Sequence, residues 1–275
     1  MSFSFINSIQ KNDINGSSVV ATPAVGRSLF IINDNLEQQL QIIYNYWFSQ
    51  FNFPNTKNFP YKAAGGSMMQ NEKIKRNIPE DWELKSLGEI CSFRNGINYE
   101  KNIEGDKTYH IINVRNISSS SIILNENKLD EICLPKHQGD KYCVSSDSII
   151  VARSGIPGAT RIIYNPSANT IFCGFIICCT PVDQIMQYYL TLYLKQLEGS
   201  SATKTGGSIL QNVSQDTLSN LLVPIPPQSI IDTFNQLVSK YFECINENLQ
   251  EINRLSEIRD WLLPMFMNGQ VTIDD

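Results

Sequence analysis

Four stretches of the sequence carry residue types that can do chemistry, and two of them suggest modification or cleavage of nucleic acid. Residues 58–61 (Asn-Phe-Pro-Tyr) are close to the Asn/Asp-Pro-Pro-aromatic motif that holds a flipped base for methyl transfer. They lack the first of its two prolines, and no glycine-rich cofactor loop precedes them. Residues 80–85 bring three carboxylates and a lysine together, as a nuclease metal site requires. Because Pro79 and Trp82 accompany them, we interpret these carboxylates as the solvated start of a domain.

The other two stretches are a glycine-containing loop and a group of cysteines. In residues 204–208 (Lys-Thr-Gly-Gly-Ser) the glycines follow the lysine, which is not the order of a nucleotide-binding loop. The segment suits contact with DNA phosphates, and an ordinary surface loop is the alternative. Cys173, Cys178 and Cys179 lie in an apolar run far in sequence from both histidines, so we expect buried thiols and no metal. The odd number of seven cysteines also argues against disulfides, and the sequence offers no catalytic set.

Composition and charge are those of an ordinary globular protein. The chain has 275 residues, 42% of them hydrophobic, which is enough for one or two domains. Its net charge of −5 divides into +3 for residues 1–79, −3 for residues 80–227 and −5 for residues 228–275. No segment is a basic DNA-binding tail, so DNA binding would need a local patch or a partner subunit. We find neither a signal peptide nor a membrane span and expect a cytoplasmic protein.

The sequence pattern predicts an α+β fold in which one mixed domain lies between helices. Residues 1–32 are interpreted as irregular, residues 33–53 as an amphipathic helix, and residues 54–79 as a linker. Five runs rich in Ile, Val, Thr and aromatic residues predict strands in the domain at residues 80–227, and a helix follows them. The strand runs are Tyr109–Val114, Ser121–Leu124, Ser148–Ala152, Thr160–Tyr164 and Thr170–Thr180, and the helix is Gln184–Leu197.

Residues 228–268 predict a long helix of coiled-coil type. Eight of ten consecutive heptad a and d positions are apolar, and the polar Asn248 is the kind of seam residue that fixes register. The candidate interface residues of this seam are Ile231, Phe234, Val238, Tyr241, Ile245, Asn248, Ile252 and Leu255. Residues 32–37 followed by Trp47 are similar to residues 245–250 followed by Trp261, so the two flanking helices look like copies of one element. Chance similarity between two amphipathic helices is the alternative.

Several short motifs together resemble those of a known family. Residues 78–83 (Ile-Pro-Glu-Asp-Trp-Glu) with 87–90 (Leu-Gly-Glu-Ile) look like the opening of a target-recognition domain, and residues 206–211 with 222–228 look like its close. Residues 259–270 look like the end of the conserved helix that follows, and residues 33–66 like the central conserved helix and its linker. In this order they resemble the specificity subunits of type I restriction-modification systems, in a half-length form with one target-recognition domain.

The resemblance implies the fold and the partners. A full specificity subunit has two recognition domains, each of which reads one half of a bipartite DNA site. Two antiparallel conserved helices hold the domains apart and dock methyltransferase subunits, and restriction subunits complete the nuclease. S-adenosylmethionine, ATP and Mg²⁺ are expected on those partner subunits and none on this chain. The sequence departs from the pattern in having one domain, so it is either a half-subunit that pairs with another copy or half-subunit, or the product of a rearranging locus.

We therefore predict a non-catalytic subunit that binds double-stranded DNA through loops of the domain at residues 80–227. Arginine suits guanine edges and phosphates, and asparagine suits adenine. One alternative is a coiled-coil adaptor that recognises protein, and a second is a stand-alone DNA-modifying enzyme, which the incomplete motifs disfavour. The candidate DNA-binding residues are Arg94, Asn95, Arg115, Asn116, Arg153, Ser154, Lys204, Thr205, Ser208 and Gln211.

Overall fold

The computed structural model describes residues 22–99, 105–119, 121–198 and 213–268. Short 3₁₀ turns and one π-helical turn (Asn45–Ser49) supplement the regular elements. In chain order these elements are α1 (Thr22–Tyr44), β1 (Met68–Asn71), β2 (Arg76–Pro79), β3 (Glu83–Ser86), α2 (Leu87–Ile90), β4 (Cys91–Asn95), β5 (Lys107–Ile112), α3 (Val114–Ser119), β6 (Asp130–Leu134), α4 (Lys136–Gly139), β7 (Ile149–Ala152), β8 (Thr160–Ile162), β9 (Thr170–Phe172), β10 (Ile176–Pro181), α5 (Gln187–Leu197), α6 (Gln215–Ser219), β11 (Leu222–Ile225) and α7 (Gln228–Met267).

The described residues form two compact units: one lies within residues 33–247, and the other contains residues 22–32 with 248–268. In the larger unit, one sheet has the strand order β4-β10-β7-β8 and a second has the order β6-β5-β9. The β5–β9 pair is parallel and the other strand pairs of these two sheets are antiparallel. Side chains of both sheets share one apolar core that includes Ile111, Ile150, Phe172 and Cys178. The predicted α+β class with flanking helices is therefore confirmed.

The apolar run predicted as one strand, Thr170–Thr180, is two strands in different sheets. β9 ends at Phe172, and β10 begins at Ile176 after a turn that contains Gly174. β10 then lies inside its sheet between two partners, which is why its residues are almost uniformly buried. The predicted strand Ser121–Leu124 was wrong, because only an isolated bridge from Ile123 to Ile162 forms there.

Two long helices run antiparallel within the larger unit. Asn33 Nδ2 donates to the Ile245 carbonyl at 3.3 Å, while Tyr44 and Phe48, a few turns further along the chain, pack on Phe234 near the start of α7. Of the eight residues predicted for the seam, five are buried and three, Tyr241, Asn248 and Leu255, are half-buried. Tyr241 is half-buried, and Phe242 is buried in its place because the helix keeps the 3.6-residue period of a straight α-helix. The buried α7 residues are Ile231, Phe234, Val238, Phe242, Ile245 and Ile252.

The two predicted boundaries before the domain differ from the structure. Helix α1 begins at Thr22, not at Asn33, so the last eleven of the residues taken as irregular are helical. Pro23 caused the error, since a proline in the first helical turn costs no intrahelical hydrogen bond. The predicted linker at residues 54–79 contains the antiparallel hairpin of β1 and β2.

The smaller unit, described at residues 22–32 and 248–268, is made of helical segments. Arg27 and Phe30 line a groove of about 290 Å³ together with Ile252 and Leu255. Large apolar side chains of this unit are exposed to solvent: Phe30, Ile31, Ile32, Ile258, Trp261, Leu263 and Met267. Among the described residues, no helix has the length and apolar character needed to cross a membrane.

Candidate nucleic-acid interface

Four connecting segments meet at one end of the two sheets, and we call residues 95–99, 113–115, 153–158 and 173–175 the loop cluster. They follow β4, β5 and β7, and the last of them joins β9 to β10. Main-chain hydrogen bonds join residues 95–99 and 153–158 to the turn at residues 173–175, and that turn to the end of β5, which residues 113–115 follow. Ile97 donates to Phe172 O and Gly174 to Ile97 O, while Cys173 donates to the carbonyl of Ile112, the last residue of β5. The neighbouring sheets therefore hold these loops in one defined arrangement.

A close approach of main chains fixes the centre of the loop cluster. A Cβ atom at Gly96 would lie 2.1 Å from the carbonyl oxygen of Cys173, and one at Gly174 would lie 1.9 Å from Oδ1 of Asn98. The first contact is with main chain, which cannot rotate away. Gly96 therefore allows residues 95–99 to lie directly against the turn at residues 173–175.

The segment around Arg153 connects the remaining parts of the loop cluster. Arg153 N donates to Phe175 O at 2.8 Å, and its guanidinium donates to Gly174 O at 3.3 Å. Val213 N donates to Arg153 O at 2.9 Å. Ser154 is half-buried in the same loop. Arg153 and Ser154, two of the predicted DNA contacts, therefore lie within the loop cluster.

The chemistry of the loop cluster suits nucleic acid. Its residues include two arginines and no Asp or Glu, although the domain at residues 80–227 carries a net charge of −3. Asn95 and Asn98 are exposed, as is Arg115, which forms an ion pair with Asp130. Amide and guanidinium groups are the side chains that read base edges by paired hydrogen bonds. The net negative charge of the whole domain therefore does not describe this surface, whose own side chains favour DNA binding.

Two predicted DNA contacts have internal roles in the structure. The Arg94 guanidinium donates to the carbonyls of Lys141 and Cys143, both at 3.0 Å. Asn116 is buried, where its amide nitrogen donates to Lys128 O and its oxygen accepts from Asn113 N. Burial keeps Asn116 from DNA, whereas Arg94 has two of its five N–H donors engaged with main-chain carbonyls and Arg153 has one.

The remaining predicted contacts lie outside the described residues, and the loop cluster also contains exposed residues that were not predicted. Lys204, Thr205, Ser208 and Gln211 belong to the stretch at residues 199–212. The structure adds the exposed side chains of Asn98, Ile156 and Phe175. Phe175 directly follows Gly174 in an apolar run that is otherwise buried. A turn at this glycine exposes the next side chain, and this is the sequence signal that could have identified Phe175.

The loop cluster offers side chains that can bind DNA, and its one thiol, Cys173, is not activated for chemistry. Burial raises the pKa of the Cys173 thiol, which keeps it protonated and weakly nucleophilic. Among the described residues, no three His, Cys, Asp or Glu side chains are placed to hold a metal ion. All seven cysteines are free thiols.

Comparison with known proteins identifies the class. Residues 79–254 match the family model of the type I restriction modification DNA specificity domain. The type I restriction enzyme MjaIX specificity subunit of Methanocaldococcus jannaschii is 25% identical over 247 residues, which are 88% of this chain and 54% of that protein. The HindI specificity subunit of Haemophilus influenzae is 28% identical over 200 residues, 70% of this chain and 42% of that protein. The chain thus spans about half the length of the curated relatives it matches.

The same class is found among solved structures. A type I restriction-modification S subunit from M. genitalium superposes with a TM-score of 0.54 at 16% identity, covering 88% of this chain and 55% of that one, so the fold is shared. The chain belongs to the family of type I restriction-modification DNA specificity subunits and carries one recognition domain. Specificity subunits are the non-catalytic DNA-recognition components of these systems, so this is a class of recognition proteins and not of enzymes.

Proposed function

We propose that this chain reads one half of a bipartite site in double-stranded DNA and docks methyltransferase subunits through α1 and α7. The observation that carries the DNA-reading part is the loop cluster, whose own residues include exposed amide and guanidinium groups and no Asp or Glu, in an otherwise acidic domain. The one carboxylate that contacts it in the described residues, Asp130, is paired with Arg115. Loops held rigidly by two sheets lose little conformational entropy on binding, which favours specific recognition.

The first experiment selects DNA from a random duplex library, with the chain alone and with a methyltransferase subunit of its system. A short defined half-site supports the proposal. No sequence preference in either case would favour the adaptor alternative, and modified DNA without a partner would favour an enzyme.

The second experiment tests the position of the interface. Arg153→Ala should weaken binding to the selected duplex by about tenfold, the lower part of the 1–3 kcal/mol range for a base or phosphate contact. Lys57→Ala removes one exposed positive charge outside the loop cluster and serves as the matched control. Equal losses for the two variants would contradict the assignment of the interface.

Docking of partner subunits is supported by the exposed apolar side chains of the smaller unit. Monomeric soluble proteins seldom expose groups of large apolar residues, and such groups mark protein contacts. Trp261 is exposed on α7, so Trp261→Asp should leave the helix content unchanged and reduce co-purification with the methyltransferase subunit. Unreduced co-purification would count against docking at this place.

The proposal also assigns the cofactors and the assembly. S-adenosylmethionine would bind to the methyltransferase subunit, and ATP with Mg²⁺ to the restriction subunit. With a single recognition domain, the chain would complete a bipartite reader by pairing with a second copy or another half-subunit. Light scattering of the purified 31.1 kDa chain, alone and with its partners, distinguishes a monomer from a pair.

A further inference from the structure

Phe175 is the one phenylalanine of the loop cluster, and its ring is largely exposed. The side chain is 61% exposed at the turn between two strands that are themselves buried. An exposed phenyl ring gains nothing from water and has no polar atom to satisfy. Together with the exposed Ile156 it gives the proposed interface an apolar surface that is available for contact on binding.

The turn that carries this ring is held firmly on both sides. Phe175 O accepts from Arg153 N, Gly174 N donates to Ile97 O, and Ile176 N donates to Cys173 O. The main chain at Phe175 therefore has a fixed place beside Arg153, whose guanidinium donates to the adjacent Gly174 O. Ile156 presents a second exposed apolar side chain in the neighbouring loop.

A mixed surface of this kind matches one groove of DNA. In the major groove the bases present hydrogen-bond donors, acceptors and a single apolar group, the 5-methyl group of thymine. Asn95, Asn98 and Arg153 supply polar partners, and Phe175 supplies an apolar one. We infer that Phe175 makes van der Waals contact with the 5-methyl group of a thymine in the half-site. This inference rests on the proposed DNA recognition and adds a specificity-determining residue to it.

The contact predicts a coupling between one side chain and one methyl group. Each thymine of the duplex selected by the full chain with its methyltransferase subunit is replaced in turn by deoxyuridine, which lacks only the methyl group. For the wild-type protein, one replacement should weaken binding about fourfold, as expected for one buried methyl-sized group. In Phe175→Ala this replacement should have no effect, while binding as a whole is weaker.

Two further variants make the test specific. Phe59→Ala removes a ring with nearly the same exposure (59%) from a loop outside the loop cluster, and it should keep the wild-type response at every thymine. Phe175→Leu keeps an apolar side chain and should retain a response at the same thymine as the wild type. Thermal unfolding of all variants should match the wild type, since both rings are exposed.

The failures of the two proposals can be told apart. If the wild-type chain selects no DNA sequence, the proposed function fails and this inference fails with it. If the wild type selects a site, the inference alone is overturned when the site has no thymine, or when Phe175→Ala keeps the wild-type response to every deoxyuridine.

Discussion

Replacing Phe234 by alanine tests whether α1 and α7 are held together by their aromatic contacts. The Phe234 side chain is fully buried, and its ring lies 4.7 Å from Phe48, 5.6 Å from Trp47 and 6.3 Å from Tyr44 between centroids. Burial of such a ring contributes about 1.5–3 kcal/mol, and an edge-on aromatic pair such as that with Phe48 adds about 0.5–1.5 kcal/mol. With the cavity left behind, we expect Phe234→Ala to lower the free energy of unfolding by about 3–5 kcal/mol.

Urea unfolding followed by circular dichroism measures this free energy. If the variant and the wild type show the same dependence of the unfolding free energy on urea concentration, both undergo the same transition and their free energies can be compared. Phe59→Ala makes the identical chemical change at an exposed position and should alter stability by no more than about 0.5 kcal/mol. Equal effects of the two substitutions would refute the view that this aromatic cluster joins the helices.

Three other changes give distinct outcomes. Gly96→Ala forces a Cβ against the Cys173 carbonyl and should cost about 1–3 kcal/mol in urea unfolding, together with weaker DNA binding. Gly26→Ala, on a helix and with no atom within 4 Å of the added Cβ, should instead be neutral or stabilise by up to about 1 kcal/mol. A hydrogen bond from the Lys107 ammonium holds the pKa of Asp140 below its ordinary value. The resulting stability is present above the unfolded-state pKa of about 4 and is lost as the pH falls through the lower folded-state pKa. Asp140→Asn should therefore make the urea midpoint less sensitive to acid between about pH 5 and pH 2, and an unchanged acid dependence would contradict this origin.

The helices could be predicted because their signals are local and repeated. The heptad positions of α7 identify five of its buried residues, including Ile231 and Ile245, from the sequence alone. The helical structure of residues 22–32 was missed because Pro23 and Gly26 are read as turn formers wherever they occur, although a first-turn proline is compatible with a helix. The heptad pattern placed Tyr241 in the seam, whereas Phe242 is the buried residue, because a strict heptad and a straight helix have different periods.

The loop cluster could be predicted only in part, because it depends on contacts between residues far apart in sequence. Arg153 was identified by its residue type, but nothing local indicates that it lies beside Gly174 and Phe175. Arg94 has an equally suitable side chain, yet its guanidinium donates to two main-chain carbonyls, those of Lys141 and Cys143, whereas the Arg153 guanidinium donates to one. Residue type predicts which groups can contact DNA, whereas the packing of strands decides which of them are available.

β3 and β11 pair with each other at the two ends of the recognition domain. Glu83 lies opposite Ile225 and Ser86 opposite Leu222, so the chain enters and leaves the intervening 135 residues at adjacent points. A segment whose two ends meet can be exchanged for another of different length and sequence without moving what precedes or follows it. Recombination within such a gene could therefore substitute a new set of loops while the flanking helices keep their places.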